Sequence, residues 1–345
     1  MIVEASAPTR IDLAGGTLDL FPLYLFEEGG VTINVAIEIR TSVRVEPCAE
    51  GIVLHSVDLG ETLTAASIRE LPVGGPLDLI ARAVRFANPG KGLRVVTQSK
   101  APPGSGLGGS SSLLICLLAA LDRVKGRRRS RLALIDVASR LETQSLRIPA
   151  GKQDYFAATY GGVNAIWFEL ERERLEPLAR SAQDRTGLEE RLVLSYTGQA
   201  HRSVVTNWSM LRAYIDGAPR ATEGLRRIKH TALAMREALR YHDLERLGPL
   251  LRQEWEHRRQ LAEGVSTPTI ESLIAAAESA GALGSKVCGA GGGGCLVTVV
   301  RKDTKAAVAA TLAAHGAAVL PVRIARRGLQ VTTGRRSRGG LDGAA

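Results

Sequence analysis

Cysteine is scarce in this 345-residue chain: Cys48, Cys116, Cys288 and Cys295 are all there is, and none forms a Cys-x-x-Cys pair. Their spacing and their apolar or glycine-rich neighbours weigh against a disulfide framework and against a zinc site, so buried thiols in a reducing compartment are expected. Aromatic residues make up 4% of the chain, too few for the stacking platform of a single-stranded nucleic-acid binder. Met1 to Ser6 lacks a basic region followed by an apolar core, and no apolar run approaches the roughly 20 residues of a bilayer span. A cytoplasmic protein without a membrane partner is therefore expected. Acidic residues are the rarer charges, 35 against 45 basic, which leaves a net charge of +10. The arginines are spread out, and the one dense cluster, Lys125 to Arg131, lies between two helical patterns as a solvated connection. Anionic small-molecule substrates account for such a balance without nucleic acid.

Glycine, by contrast, is plentiful, and its placement organises the chain. Pro102 to Ser112 reads Pro-Pro-Gly-Ser-Gly-Leu-Gly-Gly-Ser-Ser-Ser, after a β-like run at Leu93 to Thr97 and before an apolar helical stretch from Leu113 to Leu121. A glycine-rich turn feeding a helix start lets the backbone approach an anion and points unpaired N–H groups and the positive dipole end at it. The serines add hydroxyls able to bond phosphate oxygens or a Mg²⁺ ion. A flexible Gly/Ser linker is the bland alternative, but linkers do not usually join a strand to an apolar helix. No Gly-Lys-Ser/Thr follows and the dinucleotide fingerprint is absent, so another type of nucleotide-phosphate loop is expected.

At this length two domains are the better prior. Ile2 to Ala7 reads as a strand, followed by a polar stretch, Pro8 to Asp19, with Arg10, Asp12, Gly15, Gly16, Thr17 and Asp19 close together. That stretch suits a polyhydroxyl ligand and equally an ordinary polar turn. Strands are expected at Val31 to Ile39, Thr41 to Pro47, Ile52 to Ser56, Leu93 to Gln98, Ala165 to Glu169 and Arg191 to Tyr196. Helices are expected at Leu77 to Phe86, Ser110 to Lys125 and Arg131 to Leu146. Gly151-Lys152-Gln153-Asp154 reads as a turn exposing Lys152 and Asp154. The charged, poorly periodic span from Arg172 to Glu190 marks the change of domain, giving units 1–185 and 186–334 and a frayed tail at 335–345. The second half is mostly helical. It also carries a second glycine loop, Gly284 to Cys295, a β run from Leu296 to Val300, and a last strand at Leu320 to Ile324.

Three stretches together, Ala7 to Asp19, Pro102 to Ser112 and Lys286 to Cys295, resemble the GHMP small-molecule kinases, named for galactose, homoserine, mevalonate and phosphomevalonate kinases. The likeness runs over nearly the whole chain and is nearest to the D-glycero-D-manno-heptose phosphate kinases and their fucokinase-like relatives. Gly151 to Asp154 with Tyr160-Gly161-Gly162, Tyr196-Thr197-Gly198, Glu254-Trp255 and Gly289 to Gly294 follow the same pattern. One departure stands out. Where those enzymes read Gly-Gly-Gly-Thr-Asp, this chain has Gly15-Gly16-Thr17-Leu18-Asp19.

The resemblance implies a two-domain α+β fold, with a ribosomal protein S5 domain 2-like N-terminal domain and a ferredoxin-like C-terminal domain. It implies an ATP-dependent kinase that phosphorylates a hydroxyl of a sugar or sugar phosphate, a heptose 7-phosphate first among them, with Mg²⁺ as cofactor. Pro103, Gly104, Ser105, Gly106, Leu107, Gly108, Gly109, Ser110 and Ser111 would hold the nucleotide phosphates, and Ser110 and Glu142 would ligate the metal. Asp154 would be the general base, with Arg10 balancing its charge and Lys152 adding positive charge beside the reacting phosphate. Asp19, Gly16 and Thr17, with Gly291 and Gly292 of the second loop, would meet the acceptor. Plainer roles stay open: a surface ion pair for Arg10, a solvent-facing lysine at 152, a solvated helix carboxylate at 142, and a tight turn at the second loop. A galactokinase- or fucokinase-like aldose 1-kinase, a mevalonate-type kinase and a non-catalytic sugar or nucleotide-binding regulator are the rival functions. A monomer or homodimer is expected.

Overall fold

The protein is described by a computed structural model covering residues 1–90, 92–200 and 203–334, so the expected tail at 335–345 lies outside the described residues. The first sheet is built from β1 (Ile2–Ala14), β2 (Gly30–Pro47), β3 (Ile52–Ser56), β4 (Glu61–Ala65), β5 (Leu93–Ser99), β6 (Val163–Phe168) and β7 (Glu173–Pro177). The second holds β8 (Leu192–Tyr196), β9 (Ala282–Val287), β10 (Cys295–Val300) and β11 (Ala318–Leu320). The last strand, β12 (Gln330–Gly334), returns to the first sheet beside β1. Strand order is β12-β1-β2-β5-β3-β4 in the first sheet, with β6 and β7 branching from β2, and β11-β8-β10-β9 in the second. Among the described residues all strand pairings are antiparallel except β3 with β5. This is the expected two-domain α+β architecture.

The long β2 pairs with β1 along one edge and divides its other edge between two strands. Gly30 to Val35 pairs with β6, and Thr41 to Pro47 pairs with β5. Against one face of this sheet lie helices Asp78–Ala87, Gly109–Val124, Arg131–Leu146 and Gln153–Tyr160. Gly109–Val124 is the central one: Leu114, Ile115, Cys116, Leu117, Leu118 and Leu121 are all buried, leaving it apolar on nearly every side, as a helix inside a core must be. The two halves share a second core, in which Ile11, Leu13 and Ile33 of the first sheet meet Leu192, Leu194 and Val297 of the second. A third core inserts Leu18, Leu20 and Leu23 among helices of the second half. Leu18, which breaks the expected acceptor motif, is fully buried there.

Three expectations are corrected. β1 does not stop at Ala7 but runs to Ala14, absorbing Pro8 at a register shift between Pro8 and Thr9, which is where a residue lacking an N–H is tolerated. Arg10 and Asp12 therefore sit on a strand and not in a loop. The strand expected at Leu320 to Ile324 lies earlier in the chain: Ala318–Leu320 pairs with β8, and beyond it Ile324 makes a single bridge to Ile37. The unit expected at 186–334 does not end in its own sheet, since β12 covers the edge that β1 would otherwise leave open. Among the described residues no helix is long and apolar enough to cross a membrane.

Candidate active site

The glycine loop packs against the middle of β1, at Ala7 and Arg10. Gly104, Gly106 and Gly108 all have φ between 63° and 76°, in the left-handed region that a side chain disfavours. Gly108 is the N-cap of helix Gly109–Val124 and no side chain caps that end, so the first-turn N–H groups face the cleft as a cradle for an anion. A Cβ at Gly108 would lie 2.9 Å from Cγ of Asp154. Glycine is thus the residue that lets the helix start abut that carboxylate. Ser112 Oγ donates to the Ala7 carbonyl at 3.0 Å, and the Leu107 carbonyl accepts the Arg10 N–H at 2.9 Å, which fixes the loop to β1. Leu107 is fully buried in the shared core; it anchors the loop and does not line the cleft.

The cleft has a volume of about 400 Å³. Arg10, buried on β1, points its guanidinium into it, 2.7 Å from Asp154 Oδ1, and also donates to the Gly106 carbonyl. Asp154 opens helix Gln153–Tyr160 and keeps 19% of its side-chain surface exposed. Burial pushes its carboxyl up to about 7; Arg10 opposes this, while Asp19, Glu142 and Asp12 push the same way. Asp19 stands beside it, its Oδ2 accepting the Gln153 N–H at 3.0 Å, and burial raises its carboxyl above the usual range. Gly151 passes so close to the Asp19 carboxylate that a Cβ there would collide with it.

Glu142, buried on helix Arg131–Leu146, accepts hydrogen bonds from Ser110 Oγ, from Ser111 Oγ at 2.8 Å and from the Tyr155 hydroxyl. Ser110 and Glu142 both line the cleft. A hydroxyl touching a carboxylate at the foot of an anion cradle is an all-oxygen donor pair suited to Mg²⁺, which keeps waters and phosphate oxygens in its other positions. Among the described residues no group of three or more His, Cys, Asp or Glu could hold a metal without such help.

The structure brings Arg10, Gly16, Thr17, Asp19, Glu142, Asp154 and the loop residues Pro103 to Gly106 and Gly108 to Ser111 around one cleft. Besides Leu107, two expectations do not fit. Lys152 does not line the cleft, because its ammonium is held by Asp136 at 2.9 Å and by Glu173. Gly291 and Gly292 pack on Val265 instead, Gly292 N–H donating to its carbonyl at 2.8 Å, and the second loop reaches the cleft through Gly289 and Ala290.

Sequence reasoning gave no role to Tyr155, a partner of Glu142, nor to Arg258, and it noted Asp12, Glu254 and Lys286 without joining them; the last four are fully buried charged residues, of which Asp12 alone also lines the cleft. A lysine within the strand Ala282–Val287 carried some signal. The spacing of Glu254 and Arg258 did not, since an i,i+4 pair usually lies on a solvated helix face.

Models of two family domains match the chain: GHMP kinases N terminal domain over residues 77–162 and GHMP kinases C terminal over residues 235–318. The D-glycero-alpha-D-manno-heptose 7-phosphate kinase of Campylobacter jejuni is 28% identical over 299 residues, covering 85% of this chain and 87% of that protein. A mevalonate kinase of Methanothermobacter thermautotrophicus is 31% identical over 299 residues, covering 85% and 89%. The L-fucokinase/L-fucose-1-P guanylyltransferase of Bacteroides fragilis is 29% identical over 339 residues, 89% of this chain but 35% of that longer protein. Among solved structures, a D-glycero-D-manno-heptose 1-phosphate kinase from Bacteroides thetaiotaomicron superposes with a TM-score of 0.79 at 24% identity, covering 97% of this chain and 100% of that one.

Proposed function

Because the chain belongs to the GHMP kinases, ATP-dependent phosphotransferases acting on sugars and related alcohols, we propose that it phosphorylates a sugar hydroxyl using Asp154 as the base, with a heptose 7-phosphate phosphorylated at position 1 as the first acceptor to test. The observation that carries this reading is the Arg10–Asp154 pair seated against the glycine loop, with Asp19 on its other side. One carboxylate then faces both the phosphate cradle and the wall where an acceptor would lie.

Phosphoryl transfer is chiefly a matter of positioning and charge stabilisation. The N–H groups at the start of helix Gly109–Val124 hold the nucleotide phosphates. Mg²⁺, held by Ser110 and Glu142, would neutralise charge on those phosphates. Asp19 accepts acceptor hydroxyls and orients them. Asp154 takes the proton of the attacking hydroxyl as its oxygen bonds to the γ-phosphorus, and the bond from that phosphorus to the bridging oxygen breaks to release ADP. A carboxyl that titrates near 7 is matched to that proton transfer near neutral pH. Arg10 keeps Asp154 available as the anion and adds positive charge beside the γ-phosphate.

A free aldose is the second reading. The fucokinase relative supports it. So does the lining of the cleft, where Arg10 is the one cation among the described residues and is already engaged with Asp154. ADP release measured over heptose 7-phosphate, free heptose, fucose, galactose and mevalonate tests the proposal. Turnover with a sugar or sugar phosphate, lost in Asp154→Asn while nucleotide binding is kept, is the expected result. Turnover with mevalonate alone, or with none of the five, would contradict it.

A further inference from the structure

The acceptor wall at Gly16–Asp19 is fastened from behind by charges that belong to the second half of the chain. Helix Leu247–Arg258 lies flush on β9 because Gly248 and Gly284 face each other, and a Cβ on either would collide with the opposite backbone or with Leu283. That close approach brings Glu254 and Arg258 over Lys286, all three fully buried. Arg258 binds Glu254 through Nε at 2.9 Å and Nη2 at 2.6 Å. It spends its remaining donors on the acceptor wall: Nη2 on the Gly16 carbonyl at 2.8 Å and Nη1 on Thr17 Oγ1 at 3.1 Å. Lys286 Nζ reaches the Asp12 carbonyl at 3.1 Å, Asp12 Oδ2 at 2.9 Å and Glu254 Oε2 at 3.6 Å.

Thr17 needs such a hold. Its φ is 77°, in the left-handed region where a β-branched residue is an outlier. It also supplies the carbonyl that accepts the Leu20 N–H at 3.1 Å, next to the Leu18 N–H bonded to Gly15 at 3.1 Å. Gly16 has no room for a side chain, since a Cβ there would lie 2.5 Å from Asp12 Oδ2 and 3.2 Å from Arg258 Nη2. Neither Arg258 nor Lys286 lines the cleft.

We infer that Arg258 is a positioning residue that holds Thr17 in its left-handed conformation and so sets the shape of the acceptor wall. The inference rests on the reading of Gly16–Asp19 as that wall. Arg258→Lys keeps one buried positive charge but loses the planar fork that reaches Glu254, Gly16 and Thr17 together. In the full-length variant, amide exchange at Leu18 and Leu20 should rise about tenfold while helix Gly109–Val124 keeps its protection. The acceptor KM should rise about tenfold, with the ATP KM within about twofold of the parent. If Arg258→Lys does not fold, Glu254→Gln with Arg258→Met removes both buried charges and carries the same expectations.

Unchanged exchange at Leu18 and Leu20, or a parallel rise in both KM values, would overturn the inference. Exchange is read on the protein alone, so if the parent enzyme shows no turnover, that counts against the kinase reading and the exchange result still decides the role of Arg258.

Discussion

Replacing Arg10 by Met tests how the proposed base is tuned. In the parent protein, burial holds the Asp154 carboxyl at about 7 in spite of the Arg10 guanidinium 2.7 Å away. Two unit charges about 4 Å apart at an effective dielectric constant near 20 interact by about 4 kcal/mol. An arginine beside a carboxylate lowers its pKa by roughly 1–3 units in practice. Removing Arg10 should therefore lift Asp154 to about 8–10. A base must be ionised to act, so activity is lost as pH falls through its pKa, and the acid limb of kcat/KM should move up by the same interval. At pH 7 the ionised fraction falls from about one half to between roughly one tenth and one thousandth, a loss of roughly 5-fold to 500-fold from titration alone. Much of that loss should return at pH 9. Methionine keeps much of the apolar stem, so packing against the loop is partly preserved. The assay is kcat/KM from pH 5.5 to 10 with nucleotide affinity measured separately. A limb that stays near 7, with a loss equal at every pH, would refute the assignment of that limb to Asp154.

Two further substitutions separate local effects. Gly108→Ala places a side chain at φ 76° and 2.9 Å from Asp154 Cγ. It should cost about 1–2 kcal/mol of stability and lower turnover more than nucleotide affinity, as read by thermal unfolding and steady-state kinetics. Lys152→Ala removes an ammonium held by Asp136 and Glu173 outside the cleft. Because that side chain is partly solvated, the change should lower stability by no more than about 1 kcal/mol and leave kcat within about twofold of the parent. A hundredfold loss of kcat would restore Lys152 to the reaction.

The parts most legible in the sequence were those built from local signals. Helix Arg131–Leu146 begins at its Ser130 cap and matches its expected bounds, and the proline–glycine–serine run marked the turn that feeds helix Gly109–Val124 before any partner was visible. Helix Ala182–Glu189 was equally legible but missed: Ser181 and Asp184, three residues apart, form reciprocal capping bonds inside a span that looked merely charged. β12 gave little sign because its residues are mostly exposed and lack alternation. The buried network of Asp12, Glu254, Arg258 and Lys286 could not be assembled from sequence, since it joins residues more than 240 positions apart. The departure at Thr17-Leu18 also changed meaning. Leu18 faces a core, so the altered motif is a packing solution at 18 and a strained backbone at 17.

The most direct test of the account is ³¹P NMR of the product formed from ATP and D-glycero-D-manno-heptose 7-phosphate, with the corresponding free sugar run beside it. The expected result is ADP together with a new phosphomonoester resonance coupled to the anomeric proton, for one of these two acceptors, and neither signal with Asp154→Asn. ADP accumulating with inorganic phosphate alone, or a product that persists undiminished in Asp154→Asn, would contradict it.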